Sequence, residues 1–169
     1  MRRFEGNNLL KESNLMKNSI NQQSPANHNR SLDLLFFICA IIFNLAISGL
    51  YLAVKLEKQS FLKACGLIVI LLIIPFTITL VGYLKFKSKK KKVIMNLIIL
   101  FYLVVELFLD YILKIPFRDI LSIHIPYIII FYAAAYSMII VVWRTNWKRG
   151  LVVLSTFLIL IICLIYMFS

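Results

Sequence analysis

The chain is short of acid. Seven Asp and Glu stand against 19 Lys and Arg in 169 residues, a formal charge of +12. It is also short of the residues that punctuate a soluble chain, with five Gly and four Pro. Cysteine and histidine number only three and two. Cys39, Cys65 and Cys163 fall in different apolar stretches and form no CxxC or Cys/His cluster. Neither a zinc site nor a disulfide framework is indicated, no cofactor is expected, and the three read as small hydrophobes. Missing too are a phosphate-cradling glycine loop, an HExxH helix, a Ser/His/Asp array and a nucleophilic cysteine setting. No catalytic residue is therefore assigned. The absence of an internal repeat leaves a carrier built from two inverted halves without support. Continuous apolar runs, in place of alternation, exclude a β-barrel.

What the chain has in excess is apolar surface. Its hydrophobic share is 62% and its mean hydropathy +0.90, against about 45–50% apolar residues in a soluble domain. Five runs reach the roughly 20 residues that a bilayer crossing needs: 32–54, 61–84, 93–115, 121–143 and 150–168. The expected fold is an all-α membrane protein, a bundle of five transmembrane helices over 32–169 behind a polar tail, 1–31. The tail segment NSINQQSPANHNR (18–30) is poor in apolar residues and reads as disordered, with His28 solvated. Upstream, Leu9, Leu10, Leu15, Met16 and Ile20 offer one face of a short helix lying on the membrane surface. About thirty polar residues before the first apolar run argue against a cleavable signal peptide.

The positive charge raises the question of a nucleic-acid partner. Lys and Arg sit in short blocks between apolar runs, however, as they do in loops flanking membrane spans, and no such partner is expected. With five spans, fourteen of the 19 basic residues fall on the side of the N-terminus. The other side holds Lys55, Lys58, Lys63, Lys114 and Arg118. The excess of positive charge on cytoplasmic loops places the N-terminus inside and the C-terminus outside, in the cell (plasma) membrane. Trp143 and Trp147 beside Arg144, and Tyr83 beside the lysine loop, fit an interfacial belt on the inner face. The densest basic block is Lys85, Lys87, Lys89, Lys90, Lys91 and Lys92. Each lysine near an anionic leaflet is worth about 1 kcal/mol, so anionic inner-leaflet lipid is the expected contact, although fixing the topology alone asks for the same block.

The third run is the particular one. It carries Glu106 and Asp110 one helical turn apart, with Lys114 four residues further on, a common face if the helix is regular. At 1.5 Å per residue, Glu106 lies about 3 Å and Asp110 about 9 Å beyond the centre of the span. A carboxylate at that depth needs a partner or a task. A hydrogen bond from His124 to Asp110 is expected, extended by Lys114, Arg118 and Asp119 into an outer cluster. Deeper, Asn44 shares a stripe with Ala40 and Ser48 near the level of Glu106, and Tyr132 and Tyr136 are candidate donors to that carboxylate. Elsewhere, Pro75 should kink span two, Gly66 and Gly82 should admit close helix approach, and Ala133 with Ser137 forms a small-xxx-small pair on span four. Span five has few polar interruptions and is expected to face lipid or another protein.

Three uses of the carboxylates compete. They tie helices together, they relay a proton or cation, or the outer group works on a metal or headgroup. One histidine and scattered carboxylates assign no metal ligand. In function, the chain reads first as an accessory or assembly subunit, partnered by another membrane protein or by a second copy. It reads next as a component of a proton- or cation-coupled transporter or channel, and third as a membrane enzyme on a lipid-linked substrate at the outer face.

Overall fold

The computed structural model describes residues 24–113 and 121–168, with side chains over 29–109, 112–113 and 122–167. All the elements among them are helical: α1 Ser24–Lys55, α2 Gln59–Leu71, α3 Ile73–Lys85, α4 Lys90–Glu106, a π-helical turn Leu107–Ile112, α5 Leu121–Thr145 and α6 Trp147–Phe168. Five stretches are long and apolar enough to cross a bilayer: Asn29–Lys55, Gln59–Lys85, Lys90–Leu109, Ser122–Thr145 and Trp147–Met167. As far as the residues are described, they lie within a few positions of the expected runs and fit a small polytopic membrane protein.

Helix α1 starts eight residues before the apolar run does, so residues 24–30 are helical where composition reads disorder. Ser24 followed by Pro25 is a favoured helix start, because proline fixes φ and lacks only an N–H that the first turn leaves unbonded. The extension is also tied down, since Ser88 Oγ donates to Asn29 Oδ1 at 3.3 Å. The surface-lying helix expected from Leu9 to Ile20, and the side chain of His28, lie outside the described residues.

Span two is two helices joined at Leu72, whose N–H is shared between Ile68 O and Val69 O at 3.2 and 3.3 Å. Pro75 has no N–H to offer the carbonyl four residues back, so the ladder breaks at the expected place. The turns leaving α1 and α3 are built alike. Glu57 (φ 54) and Lys87 (φ 46) are left-handed, and Lys58 N–H to Ala53 O (3.0 Å) and Ser88 N–H to Tyr83 O (2.9 Å) close Schellman-type ends. A single residue, Asn146, links α5 to α6. Its Oδ1 accepts the N–H groups of Lys148 and Arg149 at 3.0 and 3.3 Å, a side-chain cap on α6. The turn is tight enough that a Cβ on Gly150 would lie 2.7 Å from Trp143 Cα.

Helix α1 is the most enclosed of the spans. Leu32, Phe36, Ala40, Phe43 and Ile47 repeat at three- and four-residue spacing and are all buried, the stripe that a centrally packed helix needs. Phe36 meets Phe76 edge-on at 5.4 Å, and Phe43 meets Tyr102 at 5.7 Å. On α5 the buried face is Ala134, Met138 and Val141, with Ser137 beside it. Ala133 points outward, so the small-residue contact is displaced by one position from the Ala133–Ser137 pair. Gly82 packs against Leu32. Trp143 and Trp147 are exposed at the lysine end of the bundle, as an interfacial anchor requires.

Candidate functional site

Helix α4 ends on Glu106, and the backbone then widens into the π-helical turn, with Leu113 N–H reaching Phe108 O at 2.9 Å in an i→i−5 bond. Turns of this kind sit at functional sites more often than chance allows. The wider turn also ends the regular spacing on which a common face for Glu106, Asp110 and Lys114 depended, so that face does not follow from sequence. The side chains of Asp110, Lys114, Arg118 and Asp119 lie outside the described residues, and with them the Asp110–His124 pair and the outer cluster.

Glu106 is 4% exposed. Its Oε2 accepts the hydroxyl of Tyr102, one turn earlier on α4, at 3.0 Å, and that of Tyr127 on α5. The two phenol oxygens are themselves 3.0 Å apart. One carboxylate oxygen and two phenols therefore form a closed triangle across the α4–α5 interface. Tyr132 and Tyr136 are not the donors. They are 38% and 64% exposed, because the buried arc of α5 runs through Tyr127, Phe131 and Ala134.

The triangle borders a cavity of about 350 Å³ at the end of the bundle away from the lysine turn. Tyr51 and Ile47 come from α1, Tyr102 and Glu106 from α4, His124, Tyr127, Phe131 and Tyr132 from α5, and Leu164 and Met167 from α6. His124 stacks on Tyr127 with ring centroids 6.4 Å apart and planes 19° apart. Its Nδ1 is buried and has no hydrogen-bond partner among the described residues. The cavity thus offers an apolar, ring-lined chamber with one carboxylate and one imidazole edge. Among the described residues no group of three His, Cys, Asp or Glu is placed to hold a metal ion.

Asn44 does not serve Glu106. Its Nδ2 donates to Thr156 Oγ1 at 3.0 Å and Val153 O at 3.3 Å, docking α6 onto α1. Span five is thus docked on one side, where Val153 and Leu160 are fully buried, yet it is the least enclosed of the five, with Ile162 and Ile165 facing outward. The same device recurs between α4 and α3, where Asn96 Nδ2 donates to Thr79 Oγ1 at 3.0 Å and Phe76 O at 3.2 Å. Within both clamps the threonine hydroxyl returns to that carbonyl at 2.8 Å. Asn96, an amide inside an apolar run, was the legible signal for the second clamp, as Tyr102, one turn before Glu106, was for the triangle.

At the lysine end, Lys92 Nζ pairs with Asp33 Oδ1 at 2.6 Å, an oxygen that also accepts Tyr83 OH at 2.8 Å. Lys92 further lies 5.5 Å from the centroid of the Tyr83 ring. It is therefore committed within the protein, unlike the exposed Lys85, Lys87, Lys89, Lys90 and Lys91. Comparison with protein-family models, with curated proteins and with solved structures finds no match for this chain.

Proposed function

We propose that this chain is a component of a proton- or cation-coupled membrane carrier, with Glu106 as the group that takes up and releases the coupling ion. The observation that supports it is the cavity beside that carboxylate. A carboxylate that only joins helices needs donors, which Tyr102 and Tyr127 supply. It gains nothing from empty space, which forfeits dispersion contacts along the cavity wall. Here the triangle and about 350 Å³ of open volume coincide. The phenols can also follow a change of charge. Both donate to the carboxylate when it is ionised, and they stand close enough to bond each other when it is protonated or bound to a cation. The polar groups that line the cavity with Glu106 are Tyr102 on its own helix, His124, Tyr127 and Tyr132 on α5 and Tyr51 on α1, while α6 adds only apolar Leu164 and Met167. Asp110, in the π-helical turn, is the proposed second carboxylate. The membrane is the cell membrane, with the lysine turn in the cytoplasm.

The test is proton flux into proteoliposomes loaded with a pH-sensitive dye, after a pH step with Na⁺ or K⁺ present. Wild type should exceed empty vesicles, Glu106→Gln should insert and fold but lose the flux, and Glu106→Asp should keep part of it. Equal flux in wild type and Glu106→Gln, or none above empty vesicles with either cation, overturns the proposal.

A second reading, an accessory subunit docked on another membrane protein or on a second copy, is favoured by Tyr136. It is 64% exposed and lies about 4 Å from the middle of its span at 1.5 Å per residue. A hydroxyl at that depth wants an acceptor that hydrocarbon does not supply. Tyr136→Phe should weaken co-purification of the partner in mild detergent. Retention identical to wild type rules that face out.

A further inference from the structure

We propose that the α3–α4 hairpin holds the phosphate of one anionic glycerophospholipid, in a site independent of the Glu106 cavity. An open hollow of about 280 Å³ lies between the end of α3 and the start of α4. It is lined by Lys87, Ser88 and Lys90 at the turn and by Tyr83, Leu84, Val93 and Ile94 further along the two helices. Polar and cationic groups at the turn with aliphatic groups beyond them match an anionic headgroup joined to acyl chains. The order is also right for a bilayer, because the hollow sits where two spans emerge.

Charge explains why these lysines and not the whole block. Lys92 is bound to Asp33 and lies over Tyr83, so it is withdrawn from the surface and neutralises the acid that α1 brings to this end. Lys87 and Lys90 are exposed and have no ion pair among the described residues. The left-handed turn at Lys87 folds the chain back so that residues 87 and 90 border one hollow. Helix α4 opens on Lys89 without a side-chain cap, which leaves first-turn N–H groups for a phosphate oxygen. Beyond the turn, Leu84 and Ile94 are more than half exposed and continue into Val81 and Leu97, equally exposed, on the outward faces of α3 and α4. An acyl chain lying along them covers surface that the bundle leaves bare.

The experiment counts lipids bound to the full chain by native mass spectrometry in a non-ionic detergent. Phosphatidylglycerol, phosphatidylcholine and inorganic phosphate are the three probes. Two lysines at about 1 kcal/mol each correspond to a roughly thirty-fold loss of phosphatidylglycerol affinity in the Lys87→Gln, Lys90→Gln double variant. Lys85→Gln with Lys91→Gln, two exposed lysines that do not line the hollow, should retain the bound lipid. Circular dichroism and gel filtration establish that each variant is folded. Equal losses from the two pairs would mean diffuse attraction and overturn the site. So would equal binding of phosphatidylcholine, which would reduce it to an apolar groove, or displacement of the lipid by millimolar inorganic phosphate, which would make the free ion its occupant.

Discussion

Asn44 Nδ2 donates to Thr156 Oγ1 across 3.0 Å, joining the first and last helices through residues 112 positions apart. Between transmembrane helices such a bond contributes about 0.6 kcal/mol on average and up to about 1–2. The Asn44 clamp should stand at the upper end, since it reaches a hydroxyl and a carbonyl together and Asn44 is 1% exposed.

Asn44→Leu should therefore lower the unfolding free energy by about 1–2 kcal/mol, and Thr156→Val by somewhat less, because the Val153 carbonyl remains. Unfolding in mixed micelles with increasing denaturing detergent measures both. The double variant should cost clearly less than the sum of the singles. Strict additivity would show that the two side chains do not interact.

The ion pair of Asp33 and Lys92 makes a prediction for the lysine end of the bundle. Both side chains are largely covered, 13% and 20% exposed, so removing one partner strands the other in partial burial. Asp33→Asn should cost about 1.5–3 kcal/mol, the range for hydrogen bonds to charged groups, and Tyr83→Phe about 0.5–1.5. Because the pair is shielded, raising the salt from 0.05 to about 0.5 M should change wild-type stability little. A stability that collapses with salt would mean that the pair is open to solvent.

How much of this was legible depends on the kind of information each feature uses. The five spans follow from length and hydropathy, which hydrocarbon enforces residue by residue. The break ahead of Pro75 follows from one missing N–H. What α1 packs against does not follow, because apolar helices carry no label for their neighbours. The depth of Asn44 pointed to Glu106, yet its partner is Thr156, since azimuth decides between residues at similar depth and sequence gives depth better than azimuth. Glu106 was legible as a costly group, but its donors required knowing that the buried arc of α5 passes through Tyr127 rather than Tyr132. The π-helical turn after Glu106 has no composition signal at all.

Two glycines separate a soft contact from a hard one. A Cβ on Gly82 would meet Leu32 Cδ1 at 2.5 Å, the far end of a side chain that can rotate away. A Cβ on Gly150 would meet Trp143 Cα at 2.7 Å, backbone held by the one-residue link at Asn146. Gly→Ala in a helix gains up to about 1 kcal/mol in propensity, which offsets the Leu32 adjustment. Gly82→Ala should be close to neutral, whereas Gly150→Ala should cost about 1–3 kcal/mol as overpacking. Thermal unfolding followed by tryptophan fluorescence ranks them, and Gly82→Ala proving the worse would show that Leu32 is not free to move.

Orientation can be tested at the two matched turns. The turn around Lys87 belongs to a block of six lysines, whereas the turn around Glu57 has Lys55 and Lys58 with an acid between them. A short loop rich in lysine resists translocation, so the proposed orientation holds 87–89 in the cytoplasm and 56–58 outside. Ser60→Cys and Lys89→Cys each place a thiol at an exposed position beside one turn. Cys39 and Cys65 are buried and Cys163 is partly covered, so native background should be low. With a membrane-impermeant maleimide on intact cells, Ser60→Cys should label at once and Lys89→Cys only after permeabilisation. Exchanging Lys85, Lys87 and Lys89 to Lys92 for glutamine should produce a mixed population, since that block supplies six of the fourteen basic residues on its side. Labelling of Lys89→Cys from outside on intact cells would invert the orientation, and labelling of both positions from one side would overturn the assignment of α2 and α3 to a single span.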